Sequence, residues 1–118
     1  MYSSQLLDHF QNPRNAGEVD QPHAAVQIEN PACGDVLRLS ARIEDGRFAE
    51  IRFRAKGCVP AMACGSALTE LVRGKSLEEA RQLKREELID TVGGVPEAST
   101  HAGFLAIDAL RALLRKLP

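Results

Sequence analysis

The chain is expected to form one α+β domain over residues 1–118, a three-stranded, largely antiparallel sheet with helices packed on one face. Three observations carry that expectation. Apolar and polar residues alternate through three successive runs between Val26 and Ala55. Asp45-Gly46, a strong hairpin turn signal, separates the second run from the third. From Val59 onward the apolar spacing becomes helical and stays so.

Taken in order, Ser3 or Ser4 can cap a short helix that reaches about Gln11, with Leu6, Leu7 and Phe10 at helical spacing and Asn12-Pro13 as its stop. Residues 11–22 then form a polar connection containing Gly and Pro. The first strand carries Val26 and Ile28 inward. The second carries Leu37, Leu39, Ala41 and Ile43, and the third Ala49, Ile51, Phe53 and Ala55. Arg38, Arg42, Arg52 and Arg54 fall on the other face, which is expected to be solvated. A helix from Val59 to Arg73 has Ala61, Cys64, Leu68, Leu71 and Val72 on its stripe and Gly74 as its stop. Ser76-Leu77-Glu78-Glu79 is a capping box for a short helix, and 84–90 reads as another. After the break at Gly93-Gly94-Val95-Pro96, a final helix buries Ile107, Leu110, Leu114 and Leu117 and turns Asp108, Arg111 and Arg115 outward.

With 118 residues, 44% of them hydrophobic, the chain can bury one core without disulfide help. A net charge of −1 provides no general attraction to nucleic acid or anionic lipid. No apolar run approaches the roughly 18 residues of a membrane span, and the start lacks a basic stretch, so a soluble, cytoplasmic protein is expected. Three cysteines, two of them beside glycines, suit thiol or metal chemistry in a reducing compartment better than a disulfide framework.

The chemistry concentrates in Pro31-Ala32-Cys33-Gly34-Asp35, Lys56-Gly57-Cys58 and Ser99-Thr100-His101-Ala102. Each of these places a ligand-type side chain where a loop becomes a strand or helix. Cys58 stands at the mouth of a helix, whose positive end stabilises thiolate. His101 falls in the first turn of the last helix, with Thr100 as a candidate cap, on the side of Asp108 and away from the core. Two thiols, an imidazole and a carboxylate make a four-ligand set that zinc or iron–sulfur iron accepts. Cys64 lies on an apolar stripe and reads first as core, with recruitment as a replacement ligand as the alternative. His9 and His23 have no such constellation beside them in sequence and read as surface residues.

These motifs, together with Asp8-His9-Phe10-Gln11-Asn12-Pro13-Arg14-Asn15 and Val72-Arg73-Gly74-Lys75-Ser76-Leu77-Glu78-Glu79-Ala80, closely resemble the iron–sulfur cluster assembly scaffolds of the IscU/NifU amino-terminal type, over nearly the whole chain. The resemblance implies that Cys33, Asp35, Cys58 and His101 hold iron or a transient 2Fe–2S cluster, with Asp35 keeping the cluster transferable. It also implies a cysteine desulfurase as sulfur donor and apo iron–sulfur proteins as acceptors, and so a carrier rather than an enzyme.

Two departures accompany it. Family members typically carry a third cysteine directly after the motif histidine, where this chain has Ala102. Val95-Pro96-Glu97-Ala98-Ser99 stands where chaperone-dependent members have Leu-Pro-Pro-Val-Lys, so recognition by the dedicated Hsp70-type chaperone does not carry over. Three other readings compete. In the first, the same four residues hold zinc and one cysteine takes up sulfur. In the second, Cys58 is a nucleophile with His101 as base. In the third, the chain keeps the fold and binds partners only. A site short of thiolates also leaves room for a homo-oligomer in which a second chain lends one.

Overall fold

The computed structural model describes residues 2–31 and 34–117. Strands β1 (Ala24–Asn30), β2 (Asp35–Glu44) and β3 (Arg47–Lys56) form an antiparallel sheet in the order β1-β2-β3. Asp45 and Gly46 both adopt positive φ, 53° and 73°, the pair of left-handed residues that a tight hairpin with the sheet's own twist needs. At the other turn Gly34, at φ 75°, donates its N–H to the Asn30 carbonyl at 2.8 Å.

The alternation expected for β2 holds for Leu37, Leu39 and Ala41, which are buried. In β3 it slips by one residue. Arg42 pairs with Glu50 and Ile43 with Phe48, so Ala49 is the extra residue of a β-bulge, and Phe48 rather than Ala49 reaches the core. A one-residue slip exchanges the two faces of a strand, and here it exchanges a methyl for a phenyl ring.

Helices α2 (Val59–Val72) and α5 (His101–Arg115) pack against the inner face of the sheet, and α1 (Ser4–Gln11) packs on α2. Because α2 meets the sheet, α1 and α5 at once, it is buried on nearly every side and not along one stripe. Gly65 makes that closeness feasible, since a Cβ there would stand 2.8 Å from a Phe53 ring carbon. Two short helices, α3 (Leu77–Arg81) and α4 (Arg85–Thr91), complete the helical side. The α3 capping box is formed as expected, with Ser76 Oγ accepting from Glu79 N–H at 3.0 Å and Glu79 Oε1 accepting from Ser76 N–H at 2.9 Å.

Ser3 caps α1 through Leu6 N–H at 3.0 Å, but the buried face of that helix holds Leu6 and His9, while Leu7 is exposed. His9 is therefore not a surface residue. It is 5% exposed, and its Nδ1 lies 2.8 Å from Ser66 Oγ on α2. The Ser66 hydroxyl also accepts from Arg14 N–H at 2.8 Å. The arrangement that uses each group once has Ser66 donating to His9 Nδ1, which leaves the ring proton on Nε2, 3.8 Å from Glu70. Arg14 closes this clasp by pairing with Asp8 and Glu70 at 2.6 and 3.5 Å. His23 is exposed, as expected, and accepts from Ile43 N–H at 2.8 Å.

Residues 15–17 run along the outer edge of β3, with Gly17 N–H donating to the Phe53 carbonyl and Phe53 N–H to the Asn15 carbonyl. Val19 then crosses the outer sheet face and donates its N–H to Ser40 Oγ at 2.9 Å. All four outward arginines of the hairpin have carboxylate partners: Glu18 for Arg38 and Arg54, Glu44 and Glu50 for Arg42, and Glu50 for Arg52. The face is one of mixed sign and carries no positive stripe.

Candidate metal and cluster site

Three elements deliver one ligand-type residue each to the same end of the sheet. Asp35 opens β2. The register Val36↔Lys56 sets the end of β3 beside it, so that Gly57 and Cys58 follow directly across from Asp35. His101 is the first residue of α5. Thr100 does not cap this helix as the sequence suggests; its backbone is already helical, and its hydroxyl donates to the Glu97 carbonyl within a 3-10 turn, Glu97–Ser99.

Asp35 is the centre of the group and is only 2% exposed. Its Oδ1 accepts the Cys58 backbone N–H at 3.0 Å, an interaction that also satisfies one of the open donors at the start of α2. Its Oδ2 lies 3.2 Å from Cys58 Sγ and 2.9 Å from His101 Nε2, and the sulfur lies 3.6 Å from that same nitrogen. One ligand atom from each of the three falls within 4.8 Å of the other two. Ligands bound tetrahedrally at about 2.0–2.3 Å stand roughly 3.3–3.8 Å apart, so these spacings approximate one face of such a tetrahedron. The donor set fits a soft or borderline metal once the thiol is a thiolate and the imidazole offers its lone pair.

Gly57 is the residue whose role was least visible in the sequence. It adopts φ 137°, and a Cβ on it would lie 2.0 Å from Asp35 Oδ1. Only glycine leaves room for the carboxylate to swing under the Cys58 amide. Cys58 is half-buried and the His101 side chain is 27% exposed, so the group opens to solvent on the histidine side. A shallow pocket of about 210 Å³ adjoins it, lined among others by Asn30, Pro31, His101 and Phe104.

Cys33, the remaining expected ligand, lies outside the described residues, two positions before Asp35 in the chain. Cys64 is fully buried in the core and does not join the Asp35, Cys58 and His101 group. Burial pushes its thiol up to about 12, with the nearby Cys58 adding a smaller push in the same direction. Ala102, at the position after the histidine, is buried and offers no ligand atom.

A three-stranded antiparallel sheet backed by helices, with thiol, carboxylate and imidazole converging at the strand-end and helix-start junctions, defines a small α+β fold carrying a group able to hold a metal ion. Known proteins share this fold. The family described as NifU-like N terminal domain matches residues 1–118. The iron-sulfur cluster assembly scaffold protein IscU 1 of Archaeoglobus fulgidus is 40% identical over 111 residues, which cover 94% of this chain and 72% of that protein. The protein named IscU in Escherichia coli K12 is 38% identical over 117 residues, covering 96% and 91%. Among solved structures, the N-terminal NifU-like protein of Brucella abortus superposes with a TM-score of 0.80 at 17% identity, covering 98% of this chain and 92% of that one, a likeness of fold. The chain belongs to the NifU-like N-terminal domain family. No helix among the described residues is long and apolar enough to cross a membrane.

Proposed function

We propose that this chain is an iron–sulfur cluster assembly scaffold or carrier whose cargo, iron and sulfide or the cluster made from them, is held by Cys58, Asp35 and His101, with Cys33 completing the set. The observation that carries the reading is the convergence of sulfur, oxygen and nitrogen donors within 4.8 Å at a solvent-accessible junction. Relatives named as cluster assembly scaffolds at about 40% identity support it. An oxygen donor is a weaker match to iron–sulfur iron than thiolate, which favours a cluster that leaves readily, of the 2Fe–2S type. A cysteine desulfurase would deliver sulfur and apo-proteins would receive the cluster, in a soluble compartment. The scaffold reading assigns no turnover to the chain.

The sealed, neutral thiol of Cys64 takes no part in this proposal. Spacings close to a tetrahedral face also suit a single zinc ion, which is the second reading. Anaerobic reconstitution with iron, sulfide and reductant separates the two. Wild type and Cys64→Ser are expected to retain iron and acid-labile sulfide with a visible chromophore, and Cys58→Ser to lose both. Loss of the cluster in Cys64→Ser would overturn the ligand assignment. Retained zinc with no labile sulfide in any variant would replace the cluster reading with the zinc one.

A further inference from the structure

A second feature of the surface lies at the far end of α5. A cleft of about 450 Å³ is lined by Arg81, Arg111, Leu114, Arg115 and Leu117, where α3 and α5 both terminate. Arg111 and Arg115 are ten and fourteen residues beyond His101, roughly 15–21 Å along the helix, so the cleft is separate from the ligand cluster. Its floor is apolar, formed by the almost buried Leu114 and Leu117, and its walls carry three exposed guanidinium groups.

The state of those guanidiniums differs from that of the sheet arginines. Arg38, Arg42, Arg52 and Arg54 each have a carboxylate within 4 Å. Arg81 has only the exposed Glu78 at 3.5 Å, and no carboxylate of the described residues lies that close to Arg111 or Arg115. Basic residues in the last turn of a helix complement its negative end, which accounts for Arg81 and Arg115 taken singly. It does not account for Arg111, one turn earlier, nor for a concave leucine floor between the charges.

We propose that this cleft docks an acidic segment of a partner protein, with an apolar side chain seated on Leu114 and Leu117 and flanking carboxylates paired to Arg81, Arg111 and Arg115. Charge complementarity selects the acid, since arginine forks match carboxylates in geometry as well as sign. The leucine floor selects a peptide over a small free anion, because an inorganic ion gains nothing from apolar surface while a leucine-sized side chain does. This docking is independent of whether the ligand cluster holds iron, zinc or nothing.

The test uses the full chain, isotope-labelled, and a fluorescein-labelled seven-residue peptide of sequence EELEELE, with KKLKKLK as the control. Saturable binding of the acidic peptide is expected at low salt, with amide shifts centred on Arg81, Arg111, Arg115 and Leu117. The paired change Arg111→Glu with Arg115→Glu should weaken it by about tenfold or more, as should a rise in salt that screens the pairs. Arg111→Gln with Arg115→Gln serves if the reversal disturbs folding, which a circular dichroism melt would reveal. Absence of saturable binding, shifts centred elsewhere, affinity unchanged in both arginine variants, or equal binding of the basic control would each overturn the proposal. Inorganic phosphate displacing the peptide at equal concentration would also overturn it, in favour of a plain anion site.

Discussion

Two histidines in this chain each meet a polar partner contributed by a distant segment, and the two arrangements differ in what they leave open. His9 is packed between α1 and α2, its Nδ1 on Ser66 and its other nitrogen near Glu70, with no thiol among these partners. His101 shares Asp35 with Cys58 and is partly exposed. A buried histidine held by a hydroxyl and a nearby carboxylate ties two helices together. One that shares a carboxylate with a thiol at a glycine turn, open to solvent, can turn its ring nitrogen to a metal.

Breaking one cluster should leave the other working. Gly57→Ala is expected to have the largest effect, since the left-handed backbone and the 2.0 Å approach to Asp35 cannot both be kept. We expect a stability loss of about 3 kcal/mol, read by urea denaturation, together with loss of iron and zinc retention. Unaltered metal retention would show that Asp35 does not need its place beneath the Cys58 amide.

Ser66→Ala should produce the complementary result. It strips His9 Nδ1 and Arg14 N–H of their shared partner at a cost of about 2–3 kcal/mol, with metal content at the Cys58 site unchanged. A fall in metal content matching the loss of stability would mean that the two clusters are coupled through α2.

The smallest effect is the one that pH exposes. Burial, reinforced by the Arg14 charge, holds His9 below its ordinary value of 6.5, against the weaker opposing pull of Glu70 and Asp8. The unfolded chain therefore binds a proton more readily than the folded one. His9 should contribute stability that is present above about pH 6.5 and lost as pH falls through its lowered folded value. His9→Asn, which keeps an acceptor near Ser66 and does not titrate, should flatten that part of the profile in melts from pH 7.5 to 5. An unchanged slope would assign the dependence to other groups.

Legibility in the sequence followed the range of the interaction concerned. The Asp45-Gly46 hairpin, the Ser76 capping box and the alternation of β2 are local, and local rules placed them correctly. The bulge at Ala49 was hidden because alternation carries no mark of an inserted residue, and only the pairing of Ile43 with Phe48 reveals it. His9 was misplaced because its partner Ser66 is 57 residues away, although its i,i+3 spacing from the buried Leu6 was a usable signal.

By itself, the sequence determined which residue types were available and at which element boundaries they would stand: Asp35 at a strand start, and Cys58 and His101 at helix starts. Those follow from short-range periodicity, turn chemistry and capping. Tertiary structure alone decided that Asp35 is the buried hub of its group, that Gly57 must lack a side chain beneath it, and that Cys64 is sealed away from it. The physical reason is that such roles depend on distances between segments separated by 23 to 66 residues, which strand register and helix packing set and no local pattern encodes.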